Sequence, residues 1–373
     1  MHCLPRHLAW LLLLLNWPGL VLAQSKPYRT ENVILVTLDG MRWQEIFGGA
    51  KERRLGRAAG QRVAPEARST AEQRRRALLP FLWDTVAAQG QLYGNRVSGN
   101  RVNVANYQHF SYPGYQELLT GFPNACILSN APVDNHYPSV LTSLNQAPAY
   151  QGRVAAFASW SVLGHILNAP CCDFPVNAGW QPAAGPGLTA HEQQLNAYLR
   201  TCPRPFVHVR TDTLTFAYAF DYLQRRQPRV LYIGFGETDE LAHEGRYADY
   251  LAAAHAADHC LAQLWAYVQA TPRYRNKTTL LITTDHGRGQ GPLWRQHGLW
   301  VPGSGQTWLA VLGPDTPPTG EQRGRGQLYA KQVAQTLAHL LAVPYQGARP
   351  TGPVVEGLFL DYPLLDYPLA RGR

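Results

Sequence analysis

Three segments of this chain are β-branched and largely apolar over strand length: Asn32–Leu38 (NVILVTL), Arg229–Phe235 (RVLYIGF) and Thr278–Thr284 (TTLLITT). Runs rich in β-branched and aliphatic residues predict strands buried on both faces, as in a parallel sheet covered by helices. Elsewhere the polar positions recur at helical spacing. Leu78–Gln89, the Ala/Leu-rich Tyr247–Gln269 and Leu328–Ala342 are expected to be helices. Strands alternating with helices predict an α/β fold, a three-layer α/β/α sandwich with a largely parallel central sheet. In open sheets of this kind ligands bind beyond the carboxyl ends of the strands.

The residues at the carboxyl end of each strand are therefore the first candidates for chemistry. Asp39-Gly40 comes after the first strand, Glu237-Thr238-Asp239 after the second and Asp285-His286-Gly287 after the third. A single Asp after a strand is ordinarily a turn residue or a helix N-cap. Three such ends, one carrying an adjacent His, fit a metal site better. Asp239 and His243 stand at i, i+4, which one helical turn places on one side. His297 comes twelve residues after Asp285, across a Gly-rich stretch long enough to fold back over the site. Mixed carboxylate and imidazole donors suit zinc or another first-row divalent ion better than calcium. Asp39, Asp239, His243, Asp285, His286 and His297 exceed what one tetrahedral ion needs, so two ions are expected.

Ser111 precedes a short helical stretch closed by Gly121. Its ordinary role would be an N-cap. The same position sets its hydroxyl among free N–H groups at a positive helix end, where a phosphoryl group can sit. A neighbouring metal would ionise the hydroxyl without a separate base.

Composition adds a compartment and excludes some partners. Met1–Ala23 reads as a signal peptide, with Arg6, an apolar run from Leu8 and a small residue at Ala23. Asn16 and Pro18 leave that run short of a membrane span. A secreted or periplasmic protein is expected, with residues 24–373 as one catalytic domain and no transmembrane segment after cleavage. The formal charge is +9. Much of the excess lies between Lys51 and Arg76, either a solvated helix face or loop or a collar for anions. The run has no interleaved aromatics, so nucleic-acid binding is not expected. Export permits disulfides, and one of Cys171 and Cys172 is expected to pair with Cys202. His255, His259 and Cys260 have a spacing that suits a metal, but a half-buried helix face explains them better.

In order along the chain, LDGMR around Asp39, FSYPGYQELLTG around Ser111, TDELAH, TTDHG and the His297-Gly298 pair resemble the alkaline phosphatase superfamily, in its phosphodiesterase and phosphatase branches. The resemblance implies the alkaline phosphatase fold and one ion held by Asp239, His243 and His297. It implies a second held by Asp39, Asp285 and His286, with Ser111 as both ligand and nucleophile. It also implies in-line displacement on a small phosphorylated substrate through a phospho-enzyme, with Asn130 contacting a substrate oxygen. Formylglycine sulfatases of the superfamily carry Cys or Ser in C/S-x-P-x-R, and Tyr115 stands where the Arg belongs. The stretch Ala158–Val162 lacks the Lys-x-Arg pair with which some monoesterases clamp a dianionic phosphate, a place that Arg42 or the basic run could take instead. The expected function is an exported metal-dependent phosphoric ester hydrolase, either a phosphatase or a phosphodiesterase. A sulfatase or phosphonate hydrolase, or an inert exported binding protein, is the alternative.

Overall fold

A computed structural model describes residues 28–51 and 69–359. The expected leader, Met1–Ala23, and residues 52–68 of the basic run lie outside the described residues. The principal sheet has eight strands. They are β1 (Asn32–Leu38), β2 (Gln91–Tyr93), β4 (Val154–Ala158), β5 (Val176–Ala178), β6 (Val230–Phe235), β7 (Thr278–Thr283), β9 (Leu309–Leu312) and β10 (Gly320–Glu321), in the order β10-β2-β9-β7-β1-β6-β4-β5. Neighbours from β7 to β5 pair in parallel, while β9 runs antiparallel to both β7 and β2. A second sheet joins β3 (Asn100–Asn103), β8 (Gln306–Thr307) and β11 (Gly326–Tyr329) in the order β11-β3-β8.

All seven residues of β1 are buried, and its alternation divides them between two cores. Ile34, Val36 and Leu38 pack on one face with side chains from α1 (Trp43–Gly48), α2 (Ala71–Leu78), α6 (Asp212–Arg226), α7 (Glu237–His243) and α8 (Tyr247–Ala270). Val33 and Leu35 pack on the other with α3 (Ser111–Thr120), α4 (Val140–Gln146) and α9 (Gln332–Leu340). The remaining long helix, α5 (Ala190–Thr201), adds Leu199 to the first core. The result is the expected three-layer α/β/α sandwich. Among the described residues no helix is long and apolar enough to cross a membrane.

Three local expectations need correction. Leu78–Gln89 is not one helix: α2 ends at Leu78, Leu79 is pushed out of the helical region before Pro80, and a π-helical turn resumes at Leu82–Val86. Leu328 does not begin a helix either. It lies in β11, paired with Val102 of β3, and α9 starts only at Gln332. The five described cysteines all carry free thiols. Cys172 and Cys202 turn their sulfurs onto the carbonyls of Leu167 and Leu199, each in its own chain segment, rather than towards one another.

The described end of the basic run is a helix face held by local acids. Arg76 pairs with Glu72 and Asp84, and Arg75 pairs with Glu321 at 3.1 Å while lying over the Trp83 ring. His255 gives its Nδ1 proton to the Leu78 carbonyl, and of the His255, His259 and Cys260 set only Cys260 is buried.

The break at Leu79-Pro80 is held by Asp258 of α8, whose two oxygens accept from the N–H groups of Phe81 and Leu82 at 2.8 and 2.9 Å. Burial pushes this carboxyl up to about 6. The folded state thus binds a proton between pH ~4 and ~6 that the unfolded chain has released, and stability falls as pH rises through that window. Asp258→Ala is expected to cost about 2 kcal/mol near neutrality by stranding two N–H groups. It should also flatten the pH dependence between ~4 and ~6. Denaturant melts across that range check both outcomes.

Candidate active site

The strand order brings the expected residues together. β1 lies between β7 and β6, and the register sets Leu38 opposite Phe235 and Thr37 opposite Thr283. The three strands therefore end level, and Asp39, the start of α7 and Asp285-His286 emerge side by side. Gly40 turns the chain away from β1 at φ 59°, and a Cβ there would stand 2.3 Å from Asp239 Oδ1. Only glycine fits this turn.

Asp39, Asp285 and His286 form one compact group. His286 Nε2 is 3.4 Å from Asp39 Oδ1 and 3.3 Å from Asp285 Oδ2. His286 Nδ1 lies 2.9 Å from the Gly287 carbonyl, which can only accept. The proton is therefore on Nδ1 in the neutral ring, and the Nε2 lone pair faces the carboxylates. Asp285 is fully buried, and its Oδ2 has no hydrogen-bond donor among the described residues. Burial, then repulsion from Asp239, raises Asp39 well above the usual carboxylate range, and burial, then repulsion from Asp39, does the same to Asp285.

The second group gathers around Asp239 at the first turn of α7. His243 Nε2 is 3.0 Å from Asp239 Oδ2 and 3.0 Å from His297 Nε2. His297 gives its Nδ1 proton to the His109 carbonyl at 3.0 Å, which again leaves Nε2 free to bind. Burial and the neighbouring His286 hold His297 well below its ordinary value, so it is neutral. Burial alone would raise Asp239, but Arg288, His297 and His243 outweigh it and hold this carboxyl well below the usual range.

The two groups touch. The rings of His286 and His297 stack with centroids 3.9 Å apart, and His286 Nε2 is 3.8 Å from Asp239 Oδ1. Donor atoms from Asp39, Asp285 and His286 can converge on one ion, and so can those from Asp239, His286 and His297. His286 thus reaches both groups, whereas the sequence resemblance put it in one. Buried carboxylates that repel each other, imidazole nitrogens aimed inward and an orphaned Asp285 oxygen together fit divalent cations.

Ser111 meets this cluster from the opposite side. It is the first residue of α3, with Phe110 as N-cap, not the cap itself. Its Oγ is 3.2 Å from His286 Nε2 and 3.5 Å from Asp39 Oδ1. The chain arrives through His109 at φ 53°, a left-handed conformation unusual for a side-chain-bearing residue. A polar frame supports that turn. Asn106 Oδ1 accepts the His109 N–H at 2.9 Å, and the buried Glu117 carboxylate takes both N–H groups of residues 105 and 106 and the Asn106 side-chain amide. Asn130 is exposed beside the helix start, its Oδ1 accepting the Tyr112 N–H at 2.9 Å.

Two contributors were not foreseen as site residues. Tyr115, one turn along α3 from Ser111, donates to Asp39 Oδ2 at 3.1 Å, so the residue that replaces the sulfatase Arg steadies a ligand carboxylate. Arg288, fully buried, pairs its Nη1 with Asp239 Oδ1. Its place directly after TTDHG was the available signal. Beyond β4, Ser159 donates to Asp212 at 2.6 Å. The nearby Arg210 guanidinium is buried and spends its donors on Thr215, Asn177 and the carbonyls of Gln181 and Ala158.

The family model described as type I phosphodiesterase / nucleotide pyrophosphatase matches residues 57–299. The chain belongs to this family. As a type I phosphodiesterase family member it is a hydrolase acting on phosphoric esters. Solved structures share its fold at low identity. The alkaline phosphatase PafA is 10% identical with a TM-score of 0.60, over 89% of this chain and 99% of that one. An inactive variant of murine ectonucleotide pyrophosphatase / phosphodiesterase 5, in complex with AMP, is 12% identical with a TM-score of 0.55, over 88% and 100%. The lipoteichoic acid synthase LtaP from Listeria monocytogenes is 14% identical with a TM-score of 0.52, over 86% and 73%. No curated protein matches this chain in sequence. Asp39 lies outside the segment matched by the family model and joins the site through the sheet.

Gly114, one turn into α3, packs against the strand end that bears Asp285. A Cβ there would stand 2.4 Å from the Asp285 carbonyl oxygen. Gly114→Ala should push Ser111 away from His286 and lower kcat/KM by at least about tenfold, as misplacement of reacting groups by a fraction of an ångström does. Kinetics on protein with unchanged far-UV circular dichroism check this; full activity would contradict the tight contact.

Proposed function

We propose that this family member is an exported phosphodiesterase that works through a Ser111 phospho-enzyme at a two-metal site. The observation that carries the reading is the convergence of Ser111 Oγ, at a helix N-terminus, on the Asp39–Asp285–His286 group. Asp239, His243 and His297 would hold one divalent ion, and Asp39, Asp285 and His286 the other, with zinc the best match to the donor set. When bound, such ions supply Lewis-acid stabilisation of charge on the attacking and leaving oxygens.

The chain's own residues account for the rest. Ser111 Oγ forms a bond to phosphorus as the ester bond to the leaving alcohol breaks, and the Ser111 proton leaves with the departing group or to solvent. Water then cleaves the Ser111–phosphorus bond and restores the hydroxyl. The Tyr112 N–H is occupied by Asn130 and Pro113 has none, which leaves the Ser111 N–H as a first-turn donor for a phosphoryl oxygen. The Asn130 amide nitrogen would stand beside it as a substrate contact. The carboxylates of Asp39 and Asp285 need partners in the folded protein, and their raised protonation in the metal-free state means that ion binding should release protons.

Preference for a diester rests on what stands beyond β4. A phosphate monoester carries one more negative charge than a diester, and beyond β4 the buried Arg210 guanidinium is turned onto protein acceptors rather than outward to meet it. The substrate is then a small phosphodiester or pyrophosphate. A leader at Met1–Ala23 supports export, and residues 24–373 would form one catalytic unit.

Hydrolysis of bis-p-nitrophenyl phosphate is expected to exceed that of p-nitrophenyl phosphate by at least about tenfold in kcat/KM, to vanish with chelator and to return with zinc. Ser111→Ala should fall by at least about a thousandfold, the loss typical of a missing nucleophile. Undiminished turnover in Ser111→Ala would refute the covalent route, and a preference for the monoester would refute the diester assignment.

A further inference from the structure

The two halves of the site differ in charge. The Asp39–Asp285–His286 half holds two buried carboxylates and, within its hydrogen-bonded set, no cationic side chain among the described residues. The Asp239–His243–His297 half holds one carboxylate, and that carboxylate is already paired with Arg288. Arg288 cannot swing aside without loss. Its Nε donates to the Trp294 carbonyl at 3.1 Å and its Nη2 to the Arg295 carbonyl at 2.5 Å, so the loop leading to His297 clamps the guanidinium in place. A second guanidinium, from Arg295, donates to the His243 carbonyl at 3.1 Å on the same side. Any dication entering this half shares the largely buried Asp239 carboxylate with a fixed positive charge in direct contact, too close for salt to screen.

We propose that Arg288 makes the two halves unequal. The Asp39–Asp285–His286 half takes its divalent ion first and tightly, and the Asp239–His243–His297 half takes its ion second and more weakly. Completion of the site then depends on the ambient metal concentration, and the protein has a one-ion state as well as a two-ion state. This rests on the two-metal reading above. A purely supporting Arg288, which only orients Asp239 for its ion, has the opposite consequence: removing it would loosen a ligand and weaken binding, by the ten- to hundredfold typical of such partners. The sign of the effect separates the two roles.

The experiment titrates zinc into metal-stripped mature protein, in competition with a chromogenic chelator and by calorimetry, so that the readout is binding. The wild-type protein should show two events at least about tenfold apart in affinity. Arg288→Met should tighten the second event by at least about tenfold and narrow the gap, while Arg288→Lys, which keeps the charge, should preserve the gap. Equal events in the wild type, or a second event unchanged or weakened in Arg288→Met, would overturn the proposal while leaving the two-metal reading intact. Binding of fewer than two ions by the wild type would overturn both. Should Arg288→Met fail to fold, Asp239→Asn and Asp285→Asn decide the order of loading. Asp239→Asn should abolish the weaker event and spare the tighter one, Asp285→Asn should abolish the tighter one, and the reverse pattern sinks the assignment.

Discussion

Three carboxylates held together at the ends of adjacent strands are the constraint on which this structure turns. Asp39, Asp239 and Asp285 are each less than a tenth exposed, and all three face the same imidazole nitrogen, His286 Nε2, at 3.4, 3.8 and 3.3 Å. Such a cluster is unfavourable in a protein interior unless cations or hydrogen bonds compensate it. Much of the surrounding architecture reads as compensation. Gly40 donates its N–H to Asp285 Oδ1, Tyr115 donates to Asp39, and Arg288 pairs with Asp239. The uncompensated remainder, above all Asp285 Oδ2, is the share that divalent ions would take up.

The same constraint accounts for the rigidity around the nucleophile. Ser111 has to approach the carboxylates from another layer of the sandwich, so α3 must dock closely on the end of β7. Gly114 permits the contact, and the Asn106–Glu117 frame holds the left-handed turn at His109 that aims the helix. His109 then serves twice, since its carbonyl also fixes the tautomer of His297. The loop carrying the nucleophile and the loop carrying the last histidine are thereby joined at one peptide.

Alkaline phosphatase PafA, the murine pyrophosphatase / phosphodiesterase and LtaP share the fold with this chain at 14% identity or less. In this chain the region beyond β4 has turned its one nearby guanidinium among the described residues, Arg210, inward onto carbonyls, and Ser159 onto Asp212. A region organised for internal hydrogen bonding offers less to a doubly charged phosphate than an outward cation would.

The sheet and most donors were legible in the sequence because both obey local rules. A strand buried on both faces must be largely apolar, and Asn32–Leu38 reads the same in sequence and in structure. A residue at the end of such a strand has only one place to be, which is why Asp39, Asp285 and His286 could be named from sequence, as could the i, i+4 pair of Asp239 and His243. Pro80 marks the helix boundary near Leu79 in the sequence itself, with Asp258 holding the break, whereas the strand at Gly326–Tyr329 was not legible because its pairing with β3 decides it. Tyr115 and Arg288 escaped for the same reason. Nothing in the residues beside them says which carboxylate each will face, since that depends on strand order, and strand order is set by long-range pairing. The sequence alone thus determined the layers, the strand ends and the chemistry carried there. Tertiary structure alone decided that β1 lies between β7 and β6, that His286 reaches both groups, and that one carboxylate already has an arginine beside it.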